Sequence, residues 1–158
     1  MKNTITPISK PIIRPANAHE ANTVAECVRA AFLPYVERMD KLPAPMLADF
    51  PTMIEAGKVW VAEMEDHVAG VLVQYETEQG FYIDTVAVTT SYKGTGIGRA
   101  LLVFAEQEAR RRGFQSIYLC THIKMTENQV LYPKIGYVET ERKMDEGYDR
   151  VFYRKELP

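Results

Sequence analysis

Residues Phe81-Tyr-Ile-Asp-Thr-Val-Ala-Val88, Thr89-Thr-Ser-Tyr92, Lys93-Gly-Thr-Gly-Ile-Gly-Arg99 and Ala100-Leu-Leu-Val-Phe-Ala105 decide the fold. They read as a β-branched and aromatic strand, a short polar loop with three alternate glycines, and an amphipathic helix. Glycine lets the backbone approach a ligand closely and adopt positive φ. The helix that follows aims unpaired N–H groups and its positive dipole end back into the loop. The unit is a cradle for a phosphate-bearing cofactor.

The rest of the chain limits what that cofactor serves. At 158 residues it suits one compact domain. We expect a loose leader over residues 1–10 and a single domain over 11–158. Hydrophobic content of 46% and charged content of 25% are those of a soluble globular protein. A net charge of −2 argues against nucleic-acid binding through bulk positive charge. The run Arg110-Arg-Arg112 before Gly113 reads as a solvated helix end that complements the dipole. No apolar run is long enough to cross a bilayer and the N-terminus has no signal-peptide centre, so a cytoplasmic location is expected, with no membrane partner. Cys27 and Cys120 lie far apart, show no metal spacing, and read as buried thiols; no metal site is expected.

Outward from the glycines, the pattern runs β-α-α-β-β-β-α-β-α-β-β, a mixed α/β layer fold. Pro11–Arg14 is a short strand. Asn17 caps a helix from Ala18 with Val24, Cys27, Val28 and Ala31 inward. Pro34 disturbs it, and a second helix over 46–56 is interrupted by Pro51. Strands 58–64 and 68–75 form a hairpin about Glu65-Asp66-His67, extended by the opening strand. In that strand Tyr82, Asp84, Val86 and Val88 share a face by period two. The helix after the loop turns Ile97, Leu101, Phe104 and Ala105 inward, and Glu106, Gln107 and Arg110 outward. Phe114–Cys120 is a strand. Thr126-Glu-Asn-Gln129 has capping-box form and opens a short helix that Pro133 bends or ends. Two closing strands flank the turn near Asp145-Glu-Gly147.

A Walker A loop needs Lys-Ser or Lys-Thr after its last glycine, and a dinucleotide fingerprint needs Gly-x-Gly-x-x-Gly with a later carboxylate. The spacing Gly94-x-Gly96-x-Gly98 meets neither. Lys93-Gly-Thr-Gly-Ile-Gly98 resembles the acyl-CoA-binding motif Gln/Arg-x-x-Gly-x-Gly/Ala of the GNAT superfamily of N-acetyltransferases. Strand order and length are similar to that family from about residue 12 to 155, and Leu131-Tyr-Pro-Lys-Ile-Gly-Tyr137 resembles its Leu-Tyr-x-x-x-Gly-Phe/Tyr stretch. The resemblance implies a central, mostly antiparallel sheet of six to seven strands flanked by about four helices. It implies acetyl-CoA as co-substrate and transfer of its acetyl group to a primary amine, of a small molecule or a protein, by direct attack. Relatives often dimerise, which leaves a homodimer open.

Under that resemblance the pyrophosphate rests on the N–H groups of Gly94, Thr95, Gly96, Ile97, Gly98 and Arg99, with Lys93 supplying charge. The pantetheine arm runs along Val86, Ala87 and Val88. Tyr132 matches the family's general acid beside the sulfur. The family's asparagine seven residues earlier is Met125 here, and Asn128 is the candidate replacement. Asp84 is the first candidate base and His122 the second. The acceptor mouth is placed at Tyr35, Arg38, Met39, Pro43, Pro45, Met46 and Asp49. The substitution at Met125 and the unsettled base leave a second reading open, an acyl-CoA-binding sensor or non-catalytic module of the same fold.

Overall fold

The computed structural model describes residues 10–158; of the expected leader, residues 1–9 lie outside the described residues. Seven strands, β1 (Ile12–Pro15), β2 (Val59–Met64), β3 (His67–Thr77), β4 (Gly80–Val88), β5 (Ser116–His122), β6 (Val138–Asp145) and β7 (Tyr148–Glu156), form one sheet. Its order is β1-β2-β3-β4-β5-β7-β6, antiparallel throughout except for the parallel β4–β5 pair. Four α-helices, α1 (Ala21–Phe32), α2 (Phe50–Glu55), α3 (Ile97–Arg111) and α4 (Thr126–Lys134), accompany it.

The helices divide the core between the two sheet faces. Val24 and Val28 of α1 and Phe50 of α2 pack with Val61, Val71 and Ala87 on one side. Ile97, Leu101 and Ala105 of α3 pack with Leu72, Ile83 and Leu119 on the other. Close approach on the α3 side depends on Gly70 of β3. A Cβ there would lie 2.8 Å from Ile97 Cγ2 and 2.9 Å from Leu101 Cδ1.

Several local expectations are corrected. The first helix opens as a 3-10 turn, Ala18–Glu20, and its entry is held by the Glu20 carboxylate accepting from the Asn17 N–H at 2.8 Å. Pro51 does not interrupt the second helix. A 3-10 turn, Ala44–Leu47, comes first, and Pro51 then sits in the opening turn of α2, where its missing N–H is harmless. Asp49 caps that helix by accepting from the Thr52 N–H at 3.2 Å. Glu106 does not face outward. It is 8% exposed and paired at 2.9 Å with Lys155 of β7, a partner that helical periodicity cannot reveal. The capping box at Thr126 does not form, because Met125 takes the cap position and Thr126 is already helical. Gln129 donates instead to the Ile123 carbonyl at 2.7 Å. Phe104, expected inward, is only half-buried.

The correction with most consequence lies in β4. Val73 pairs with Thr85 but Gln74 pairs with Ile83, so Asp84 is an extra, bulged residue. The bulge resets the side-chain period. Ile83 and then Val86 and Val88 all meet the α3-side core, while Ala87 joins the α1 side. Tyr82 lies on the α1 side against Tyr75, so Tyr82 and Asp84 do not share a face with Val86 and Val88.

Candidate active site

The same stretch of β4 parts company with β5. Parallel pairing covers only Phe81–Ile117, Tyr82–Tyr118 and Ile83–Leu119. Beyond Ile83, β4 stays with β3 as far as Val88, while β5 stays with β7 as far as His122. The sheet therefore opens into a V whose apex is Ile83–Leu119, leaving the inner edge of β4 without a strand partner. A cavity of about 990 Å³ follows this opening. Val86, Ala87 and Val88 line it, with Lys93, Gly98 and Arg99 at one end.

That end is built for an anion. Gly94 and Gly96 have φ of 78° and 90°, values that favour glycine. The N–H groups of Lys93 and Thr95 are held by the Thr90 and Tyr92 carbonyls, which removes Thr95 from the predicted set of phosphate donors. Among the described residues no acceptor meets the N–H groups of Gly94, Gly96, Ile97, Gly98 or Arg99, and Ala100 is the first to bond back, to the Gly96 carbonyl. These donors stand at the positive end of the 15-residue α3. The Ile97 side chain is 2% exposed and belongs to the core, so only its backbone can serve a ligand. Gly98 lies beside β4, where a Cβ would stand 3.4 Å from Val88 Cγ2.

The apex brings the candidate chemistry together. Tyr132 and Asn128 line the cavity from α4, and Cys120 lines it from β5. Tyr132 is wedged against the rings of Tyr137 and Tyr153, at 5.7 and 5.8 Å. Among the described residues its hydroxyl has no hydrogen-bond partner; burial first, then the neighbouring Cys120 and Tyr35, push its pKa well above the ordinary phenol value. The Asn128 amide nitrogen donates to Thr121 Oγ1 at 3.0 Å, and its oxygen has no partner among the described residues. Met125 is 5% exposed and its sulfur receives the Thr121 hydroxyl at 3.7 Å, so it packs beneath Asn128.

Asp84 also lines the cavity, fixed by two hydroxyl donors: Tyr75 to Oδ2 at 2.6 Å and Thr85 to Oδ1 at 2.8 Å. His122 lines it too, but its Nδ1 accepts from the Lys124 N–H at 3.0 Å. The neutral ring then carries its proton on Nε2, so neither nitrogen is free to take one. Burial moreover lowers its pKa. Cys120 is half-buried rather than a core thiol, lies 3.1 Å from the Tyr82 hydroxyl, and is kept protonated mainly by burial.

The acceptor mouth is only partly where the sequence placed it. Tyr35, Met39, Pro43 and Pro45 line the cavity, but Arg38, Met46 and Asp49 do not. Arg38 instead bridges to Glu127 of α4 at 2.6 Å, tying the α1–α2 connection across the opening, and Asp49 is engaged as a cap. The Tyr148 hydroxyl donates to the Leu42 carbonyl at 2.6 Å and anchors the same connection to β7. Tyr75 and Tyr118 were missed. Their signal was cross-strand position beside Tyr82, which becomes readable only with the strand registers. Among the described residues no cluster of three or more His, Cys, Asp or Glu could hold a metal, and no helix is long and apolar enough to cross a membrane.

Comparison with known proteins agrees with this fold. The sequence model of the "Acetyltransferase (GNAT) family" matches residues 24–137. "Probable N-acetyltransferase 14" of Xenopus tropicalis is 30% identical over 86 residues, which are 52% of this chain and 42% of that protein. The match thus spans about two fifths of the curated relative's length. Among solved structures, PaiA N-acetyltransferase from Thermoplasma acidophilum in complex with coenzyme A superposes with a TM-score of 0.76 at 15% identity, covering 94% of this chain and 99% of that one. The putative acetyltransferase yncA from Salmonella typhimurium with acetyl-CoA has a TM-score of 0.70 at 20% identity, covering 95% of each. These structures share the fold.

Proposed function

Because this chain belongs to the GNAT acetyltransferase family, we propose that it moves the acetyl group of acetyl-CoA to a primary amine by direct attack, within the V between β4 and β5. One observation carries the reading: the free edge Val86–Val88, Tyr132 and Asp84 line one cavity, which also reaches Gly98 and Arg99 of the loop whose N–H groups at Gly94, Gly96, Ile97, Gly98 and Arg99 have no acceptor among the described residues. The parts fit the cofactor. A pyrophosphate needs convergent N–H donors with dipole support, and an amide-bearing arm can pair with a strand edge. Lys93 and Arg99 add positive charge at the same end.

Transfer forms a carbon–nitrogen bond and breaks the carbon–sulfur bond of the thioester. The attacking amine must lose a proton and the departing sulfur must gain one. Asp84 receives the amine proton, directly or through one water, with its carboxylate held in place by Tyr75 and Thr85. The Tyr132 hydroxyl, kept protonated by burial, gives its proton to the sulfur. Asn128 offers its free amide oxygen to an N–H of the pantetheine arm, the role that Met125 cannot fill.

The test is release of free thiol from acetyl-CoA across a panel of amines. Turnover with at least one primary amine, lost in Tyr132→Phe while acetyl-CoA still raises the melting temperature, supports the proposal. Acetyl-CoA binding with no thiol release above background from any amine would overturn it.

A further inference from the structure

On the far side of Asp84 from the glycine loop, three tyrosine rings lie in a row across β3, β4 and β5. Tyr75 meets Tyr82 edge-on at 5.7 Å, and Tyr82 meets Tyr118 at 4.8 Å. All three line the cavity. Each hydroxyl is already engaged: Tyr75 with Asp84, Tyr82 with Cys120, and Tyr118 with Thr77. The row therefore presents ring surface and not hydrogen-bonding groups. Cations cap its two ends, Lys58 Nζ 4.5 Å from the Tyr75 centroid and Arg154 4.9 Å from that of Tyr118. Among the described residues no cation stands over Tyr82, the half-buried ring in the middle.

Resting on the acetyl-transfer reading above, we infer that the acceptor is a monoamine carrying a flat, aromatic body. Its amine meets Asp84 and its ring packs against the cavity-facing edge of Tyr82, whose faces are covered by Tyr75 and Tyr118. Charge decides against the other amine classes. Asp84 offers a single carboxylate at the transfer end, and Arg150 pairs with both nearby Asp145 and Glu146, at 2.8 and 3.4 Å, which leaves only one net negative charge among the three. A polyamine would carry its second ammonium toward Lys58 and Arg154, where like charge repels it. An aliphatic monoamine fills the space but forgoes the ring–ring interaction, about 0.5–1.5 kcal/mol or roughly two- to twelvefold.

The experiment compares phenethylamine, hexylamine, spermidine and a lysine-containing peptide as acceptors for the full chain, by thiol release. Phenethylamine should exceed hexylamine in kcat/KM by about three- to tenfold, with spermidine and the peptide below both. Tyr82→Phe should keep the phenethylamine-to-hexylamine ratio and Tyr82→Leu should bring it near unity. If Tyr82→Leu fails to fold, Arg154→Gln provides the second readout, a gain in spermidine turnover relative to phenethylamine. Calorimetric binding of the same amines to the CoA-loaded protein separates two failures. An aromatic preference in binding without turnover sinks only the transfer reading. Spermidine or the peptide as best acceptor, or hexylamine equal to phenethylamine in both assays, overturns this inference.

Discussion

The Tyr75 hydroxyl donates to Asp84 Oδ2 at 2.6 Å, on the bulge where β4 carries one residue more than β3. The bulge turns Asp84 away from the Val86–Val88 edge, and the tyrosine on the neighbouring strand fixes the carboxylate at the apex of the V. In the proposed transfer, Tyr75 acts on the amine only through Asp84.

That arrangement predicts a dependence between two substitutions. Asp84→Asn should lower kcat/KM by roughly a hundredfold, the low end for a general base. Tyr75→Phe, removing one hydrogen bond to a charged group, should lower it about tenfold. In the Asp84→Asn background, Tyr75→Phe should add almost nothing. Additive losses in steady-state kinetics would show that Tyr75 works independently of the carboxylate.

Tyr132 is predicted to matter in a way visible in the pH profile. Burial raises its pKa above the ordinary phenol value of about 10, so it remains an acid throughout the range where the acceptor amine becomes neutral. Wild-type kcat/KM should therefore climb with pH and show no falling limb below about pH 10. Tyr132→Phe should lower kcat by about a hundredfold or more, with KM for acetyl-CoA little changed. His122→Asn, whose ring is engaged by the Lys124 N–H, should leave the profile shape unaltered.

Much of this was legible in the residues because it is local. Alternation along Phe81–Val88, the three glycines and the apolar stripe of α3 each declare themselves within a few positions. What escaped depends on partners distant in sequence. The bulge at Asp84 carries no glycine or proline to mark it; it shows only in the register of β4 against β3. Glu106 looks solvent-facing on a helical wheel until Lys155 arrives from β7. Arg38 reads as a mouth residue, yet Glu127 claims it from the far side of the opening. The Thr126 box failed for a different reason: the chain enters α4 one residue earlier than a side-chain cap would require.

Gly70 couples the core to the cofactor end. An alanine methyl would press on Ile97 and Leu101 and also stand 3.1 Å from the Ala87 carbonyl, which cannot move without disturbing β4. Gly70→Ala should destabilise the fold by about 1–3 kcal/mol through overpacking. Because α3 is displaced at its first turn, KM for acetyl-CoA should rise as well. Chemical denaturation and initial-rate kinetics check the two effects. A destabilised variant with unchanged KM would show that the donor groups of Gly94–Arg99 hold their positions independently of this contact.

The last prediction concerns acid stability, set at the other end of the sheet. The Glu20 carboxylate takes both guanidinium donors of Arg14 at 2.8 Å, and Arg14 also reaches Glu63 at 3.1 Å. The hydrogen bonds from Arg14 are the largest cause, and they hold the Glu20 pKa at about 2, well below the unfolded value. A lowered folded-state pKa stabilises above the unfolded pKa of about 4.3 and loses that contribution as pH falls toward the folded value. Solvent screening limits the contribution to about 1 kcal/mol. Glu20→Gln should therefore be less stable than wild type by that amount from neutrality down to about pH 5, and the gap should close between about pH 4.3 and 2. Urea melts of both proteins across this interval measure it. A gap that persists unchanged at pH 2 would mean that Glu20 contributes through packing and the Asn17 N–H, and not through its charge.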